Sequence, residues 1–385
     1  MAVKRVAILG STGSIGRNAL RVIEALGPEY EVYALTANSR VELLAEQVRR
    51  FEPPYAAVTD RTCAGQLRDQ IAGLKTEVLA GAAGLEEIAS MDDVDIVLMA
   101  VVGAAGLPAV LAAARSGKRI AVANKEPLVV AGELLMQEAA DGGAEVIPVD
   151  SEHSAIFQAM QAGRRQDVSK IVLTTSGGPF RGFSRADLED VTAAQALAHP
   201  TWAMGPKITI DSATMMNKAL EVIEARWLFG APVEQIEVVV HPESIVHSLV
   251  EFVDGSMIAH LGRPDMCIPI QYALTYPARA NGLGKRLSLG EIGRLTFEKP
   301  DMEVFRALRL GFEVARTGGT AAAVFNAANE AAVGEFLAGR IKFVNIVELI
   351  EHCLDSHSVR ARVGLEELLE ADAWARREVA GVACR

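Results

Sequence analysis

Cysteine is scarce and scattered. The four in the chain, Cys63, Cys267, Cys353 and Cys384, form no CxxC pair and no Cys/His cluster with zinc spacing. That argues against a disulfide framework and a structural zinc, and fits a reducing cytoplasm. Positive charge is also short. Lys and Arg total 38 against 49 Asp and Glu, leaving a net charge of −11. A general nucleic-acid binder needs a basic face to neutralise phosphates, so no nucleic-acid partner is expected. The first residues show no secretory pattern, because the apolar run 6–9 meets glycines at once. No apolar run is unbroken at bilayer length either. Residues 96–114 carry no charge, but Gly103, Gly106 and Pro108 interrupt them. A buried parallel strand, a turn and a helix account for that segment better than a membrane span. Internal repeats and low-complexity tracts are missing as well.

What remains is a soluble globular composition, with half the residues hydrophobic and 23% charged. At roughly 150 residues per domain, 385 residues make two or three domains with a sizeable core. Up to residue 150, strand-like runs (3–9, 31–35, 56–58, 96–102, 119–122, 145–149) alternate with helical segments such as 17–25 and 41–50. That alternation predicts parallel strands joined by crossovers, a doubly wound sheet of the Rossmann type. Beyond it, runs at 170–175, 236–240, 248–252 and 257–260 read as strands, the last two a hairpin across Asp254-Gly255. Helices are expected at 154–162, 214–229 and 268–276. The fold class is therefore α/β, with a doubly wound domain over 1–150 and a central α+β domain over 151–280. A Gly-rich linker over 281–299 and a helical domain over 300–385 complete it.

Four stretches carry chemistry. Gly10-Ser-Thr-Gly13-Ser-Ile-Gly16 follows the first strand and opens the first helix. There glycines let the backbone approach a pyrophosphate and the helix start offers N–H groups. An ordinary strand–helix turn would use the same glycines. After the second strand comes Thr36-Ala37-Asn38-Ser39-Arg40, without the carboxylate that NAD enzymes place against the ribose 2′-hydroxyl. Arg40 and small polar groups suit a 2′-phosphate, which favours NADP. Asp150-Ser151-Glu152-His153 follows VIPV. In an extended segment the two carboxylates would face one way and suit a hard divalent ion; helix capping explains them equally well.

In the fourth stretch Asp211-Ser212 precedes Asn217, Lys218 and Glu221. Ser212 or Asp211 is expected to cap a helix whose Asn217, Lys218 and Glu221 share one face. Apolar neighbours speak against a merely solvated Lys–Glu pair. Hydroxyl, amide and ammonium near a helix start suit phosphate oxygens. Glycines, prolines and Trp202 between 177 and 206 suggest a lid. Lys125 follows a buried strand of the first domain, where ligands of parallel sheets sit.

Together GSTGSIG, ANKE, VDSEHSAIFQ, TTSGGPFRG, HPTWAMGPKITIDSATMMNKALEVIEA and HPESIVHS resemble the 1-deoxy-D-xylulose 5-phosphate reductoisomerase family, in order from residue 6 to about 250. The family's usual glycine after the second strand is Asn38 here. The resemblance implies a homodimeric cytoplasmic enzyme that uses NADPH and a divalent cation (Mg²⁺ or Mn²⁺, possibly Co²⁺ among family metals). It would convert the phosphorylated ketose to 2-C-methyl-D-erythritol 4-phosphate, for isoprenoid precursors. Carried onto this chain, it implies metal ligands Asp150, Glu152 and Glu221. Substrate contacts would be Lys125, Ser151, Glu152, Ser176, His199, Trp202, Met204, Ser212, Asn217, Lys218 and Glu221. Cofactor contacts would be Thr12, Gly13, Ser14, Ile15, Asn38, Ser39, Arg40, Asn124, Glu126 and Gly205. A different NADP-linked dehydrogenase would not need the three carboxylates or a metal. An NADP(H)-sensing regulator would need a partner surface that the sequence does not display.

Overall fold

The computed structural model describes residues 3–200, 202 and 204–383. Cys384, and Thr201 and Ala203 of the expected lid, lie outside the described residues. Two compact units emerge from the contacts.

The first unit is built on a seven-stranded, wholly parallel sheet. Its strands are β1 (Lys4–Leu9), β2 (Tyr30–Ala37), β3 (Tyr55–Val58), β4 (Glu77–Ala80), β5 (Ile96–Met99), β6 (Arg119–Val122) and β7 (Glu145–Pro148). Crossovers are made by α1 (Ser14–Leu26), α2 (Val41–Phe51), α3 (Ala64–Gln70), α4 (Ala82–Ser90), α5 (Leu107–Arg115) and α6 (Glu126–Gly142). The order β4-β3-β2-β1-β5-β6-β7 reverses between β1 and β5, which makes the carboxyl ends of those strands the binding edge of the sheet. The central strands read as near-continuous apolar runs, and IVLM of β5 is buried throughout, because helices cover both sheet faces. β4 was not anticipated.

α7 (Ser151–Ala159) starts three residues before the helix expected there. Glu152 therefore sits in a first helical turn and not on an extended strand, and the alternation argument for pairing it with Asp150 does not hold.

In the second unit a mixed sheet has the order β11-β10-β8-β9. Its strands are β8 (Val168–Thr175), β9 (Ile236–Val240), β10 (Val246–Phe252) and β11 (Met257–Leu261). β8 and β9 run parallel, while β10 pairs antiparallel with β8 and β11. The β10–β11 turn is the expected Asp254-Gly255, with Ser256 N–H donating to Asp254 Oδ1 (3.0 Å). Between β8 and β9 lie α8 (Ala193–Ala196), α9 (Pro206–Ala213) and α10 (Met216–Phe229). The single helix expected over 214–229 thus begins later, after Met215 adopts a left-handed φ of 63°. Asp211 and Ser212 lie inside α9 and cap nothing.

α11 (Cys267–Thr275) groups with the first unit. It packs on α1, and its Leu274 carbonyl accepts from Arg119 Nη1 at 3.3 Å. The expected 151–280 domain is thus divided, because α11 finds its apolar partner far back in the chain. The short α12 (Leu289–Ile292) lies within the expected linker. Helices α13 (Arg306–Thr317), α14 (Ala321–Leu337), α15 (Asn345–Ser356) and α16 (Leu365–Ala383) group with the mixed sheet. α10 is buried on nearly every side and packs against α13. Among the described residues no helix is long and apolar enough to cross a membrane.

Candidate active site

The glycine loop of the first unit is shaped for close backbone approach. Gly10 has φ +91°, and a Cβ there would lie 2.5 Å from Ala100 O. A Cβ at Gly16 would lie 2.5 Å from Gly10 O. Gly13 is the N-cap of α1, with no side-chain cap and no acidic residue in the first turn. The helix dipole and its leading N–H groups are therefore not offset by a carboxylate. The loop is braced from behind. Gln47 Nε2 donates to Ser11 O (2.9 Å), Ser11 Oγ lies 2.6 Å from Gln47 Oε1, and Thr36 Oγ1 accepts from Gly10 N–H (3.0 Å). Thr12 is buried, while Asn38, Ser39 and Arg40 are exposed beside it. Thr59 Oγ1 donates to Asn38 Oδ1 (2.6 Å), and Arg40 Nη1 reaches Thr12 O at 3.4 Å.

Asn124, just past β6, holds both polar atoms of its amide out of solvent with no hydrogen-bond partner among the described residues. An unpaired buried amide costs free energy, so this position suits a ligand bringing both a donor and an acceptor. Glu126 opens α6 and is buried. The strand expected over 96–102 ends at Met99, so residues 100–102 join the turn expected after it, a loop to which the sequence reading gave no role. Ala100 abuts Gly10, and Val102 is 78% exposed. Its signal was positional, as it leaves the strand beside the reversal in strand order.

Also in the first unit, Lys125 Nζ donates to Asp150 Oδ2, and Ser151 Oγ donates to Glu152 Oε2. The Glu152 N–H lies 3.4 Å from Asp150 Oδ1. These are acceptor-only oxygens compensated by a flexible ammonium, a donor set that a hard divalent cation fits.

The second unit gathers a different group. His199 Nε2 lies 3.3 Å from Ser176 Oγ and 3.1 Å from Ser212 Oγ. The Trp202 backbone N–H donates to His199 Nδ1 (2.9 Å). An accepting Nδ1 assigns the ring proton to Nε2, which faces the two hydroxyls. Burial holds the imidazole below its ordinary value near 6.5. On α10, Asn217 Nδ2 donates to Glu221 Oε1 (2.6 Å) and Lys218 Nζ to Glu221 Oε2. Lys218 is 2% exposed and Glu221 0%. A surface ion pair is thereby excluded. Removing two charges from water is expensive, and such pairs persist where function needs them or where a fold is specified.

Gly205 is the N-cap of α9 and lies in this unit, not with the other expected cofactor residues. Trp202 and Met204 are half-buried on the approach to α9. The expected lid is anchored over much of its length. Phe180 packs edge-on against Phe343 at 5.2 Å, and Leu188, Val191 and Ala196 are buried.

A doubly wound parallel sheet with an uncapped glycine loop and no acid after β2 fits the class of nicotinamide-linked oxidoreductases. Comparison with known families narrows this. Residues 6–132 match the 1-deoxy-D-xylulose 5-phosphate reductoisomerase description, 146–229 its C-terminal domain, and 261–378 the DXP reductoisomerase C-terminal domain. The chain belongs to the 1-deoxy-D-xylulose 5-phosphate reductoisomerase family. It is 52% identical to the enzyme of that name from Methylobacillus flagellatus, over 97% of this chain and 96% of the relative. With that of Chloroherpeton thalassium it shares 51%, over 98% and 97%. Among solved structures, the reductoisomerase from Zymomonas mobilis in complex with NADPH superposes with a TM-score of 0.94 at 43% identity, covering 99% of both chains. A DOX-P reductoisomerase in complex with NADPH, fosmidomycin and magnesium gives 0.94 at 42%, covering 99% of this chain and 98% of that one. The chain is accordingly an NADPH- and divalent-metal-dependent oxidoreductase that converts 1-deoxy-D-xylulose 5-phosphate in isoprenoid precursor biosynthesis.

Proposed function

We propose the following assignment of residues to that reaction, whose product is 2-C-methyl-D-erythritol 4-phosphate. The NADPH-binding segment is 1–150, the catalytic segment 151–280 and the helical segment 300–385. Thr12, Gly13, Ser14 and Ile15 hold the pyrophosphate, with Asn38, Ser39 and Arg40 at the 2′-phosphate. Asn124 and Glu126 orient the nicotinamide end, and the unpaired Asn124 amide supports that placement. Gly205 adds a contact to the cofactor. Asp150, Glu152 and Glu221 are the metal ligands. Their all-carboxylate chemistry favours Mg²⁺ or Mn²⁺, with Co²⁺ tolerated. Ser176, Ser212, Asn217 and Lys218 bind the substrate phosphate beside His199. Lys125, Ser151 and Glu152 contact the substrate's carbonyl and hydroxyls, and Trp202 and Met204 cover it.

Asp150, Glu152 and Glu221 would hold a cation that supplies Lewis-acid polarisation of the ketone and its neighbouring hydroxyl, and the glycine loop would hold NADPH as the source of hydride. The chain's own part is placement. Neutral His199 donates its Nε2–H to the Ser176 and Ser212 hydroxyl oxygens, which leaves the two hydroxyl protons to donate to phosphate oxygens. Lys218 supplies positive charge from a buried site, and Asn217 fixes the carboxylate of Glu221. Phosphate binding remote from the reacting carbons supplies energy that is used to exclude water at the reacting centre.

The observation that carries the assignment is the fully buried Lys218–Glu221 pair, in the same unit as the serine–histidine cluster. The protein is read as a cytoplasmic homodimer without nucleic-acid or membrane partners. The charge of −11 supports the part of this reading that excludes a nucleic-acid partner. The test is NADPH oxidation that requires both the phosphorylated ketose and Mg²⁺ or Mn²⁺ and stops with EDTA. Chelator-insensitive turnover would select the plain dehydrogenase.

A further inference from the structure

We infer that Asn329, on α14, is a positioning residue for phosphate binding, acting through Asp211. The inference rests on the phosphate role of Ser212 and His199 proposed above. Asp211 stands one residue before Ser212 and is 1% exposed. A carboxylate so deeply buried needs partners. Lys207, one turn earlier on α9, provides an ammonium at 2.8 Å. Asn329 Nδ2, from a helix more than a hundred residues later, donates at 2.8 Å.

The two helices differ in what holds them. α9 has eight residues, too few to persist in isolation. It begins directly after the Trp202 segment and ends at the left-handed Met215. α14 has 17 residues and is buried along most of its length. It is fastened to α16 by Arg376, which joins Glu330 (2.6 Å) and Asp372 (2.7 Å). The Asp211–Asn329 bond therefore references a short, weak element to a long, fixed one. At the same end of α9, a Cβ at Gly178 would lie only 2.6 Å from Ser212 O, so this end of the helix is located from two sides. Ser212 Oγ sits 3.1 Å from His199 Nε2. A shift of about 1 Å would open that contact, and misplacements of this size are costly to a binding site. Asp211 is an acceptor-only anion and would repel phosphate directly, so its contribution is to position.

The test is steady-state kinetics on the full-length enzyme with metal, the phosphorylated ketose and NADPH. Asn329→Asp sets two carboxylates against each other at unchanged volume. KM for the ketose should rise roughly tenfold to a hundredfold, in line with losing a hydrogen bond to a charged group. KM for NADPH should stay within about threefold, as expected for an uncoupled site. The exchange Asp211→Asn with Asn329→Asp reverses the donor and acceptor and should recover most of the ketose KM. Asp211→Asn alone should raise it severalfold, and it carries the test if Asn329→Asp does not fold. Equal changes in kcat and in both KM values, or no recovery in the exchange, overturn the inference. Ser212→Ala separates the two readings. If it leaves the ketose KM unchanged, the phosphate assignment itself fails. If it raises KM while Asn329→Asp and Asp211→Asn do not, only the positioning role fails.

Discussion

His199 joins the Trp202 backbone to two hydroxyls through opposite ring nitrogens. Only the neutral tautomer with its proton on Nε2 can do both. Burial lowers its folded value below 6.5, whereas the unfolded chain takes up a proton near that value. Between the two values the unfolded state binds more protons, so this group's contribution to stability falls as pH drops below about 6.5 and is intact above it. An imidazole NMR titration, assigned by difference against His199→Asn, should show a midpoint below 6.5. Inorganic phosphate should move the midpoint up, since an adjacent anion favours the charged ring. A ligand-free midpoint at or above the ordinary value contradicts the buried neutral imidazole. At this scale the sequence was most legible where a residue's chemistry is local. Asn217, Lys218 and Glu221 share a face because helical spacing requires it. Asp211 was misread as a cap because its partner Asn329 lies far along the chain, where no local pattern points back to it.

Packing between α10 and α13 shows what an element needs beyond its own apolar face. A Cβ at Gly311 would fall 2.6 Å from Ala219 Cβ and 2.7 Å from Ala219 Cα. The helices meet backbone to backbone there, so Gly311→Val should destabilise the protein by about 1–3 kcal/mol through overpacking. Gly334, in the exposed part of α14, has nothing within 4 Å of its would-be Cβ. Gly334→Ala should instead stabilise by about 0.5–1 kcal/mol, because the unfolded chain loses freedom. Urea unfolding of both variants checks the pair. Equal and small effects would mean that the α10–α13 contact is loose. Elements with long apolar runs, such as β1, β8 and β9, were readable directly. β4 is four residues bounded by weak signals, too short for a periodicity to register. The break at Met215 was unreadable because helix-forming residues continue through it. A left-handed methionine is set by tertiary contacts and not by propensity.

Across the whole molecule, the residues proposed for the cofactor fall almost entirely in the first unit, and those proposed for phosphate in the second. The sheet was legible because parallel strands buried on both faces leave an apolar signature. The grouping of α11 with the sheet, and of α13–α16 with the second unit, was not, because both depend on contacts between distant segments. This division predicts separable ligand effects. NADPH at about a hundred times its Kd should stabilise the protein by about 2.7 kcal/mol through linkage, and should do so equally in Glu221→Gln. The Glu221→Gln variant keeps the volume and the hydrogen-bonding reach of the side chain. It removes the charge that pairs with Lys218 and, in the proposed assignment, one oxygen ligand of the cation. Turnover should be abolished while NADPH affinity, measured by calorimetry, stays within about threefold of the parent enzyme. Added Mg²⁺ should raise the melting temperature of the parent protein and leave that of Glu221→Gln nearly unchanged. Equal loss of NADPH affinity and turnover would place Glu221 in the shared scaffold of the fold rather than at the metal.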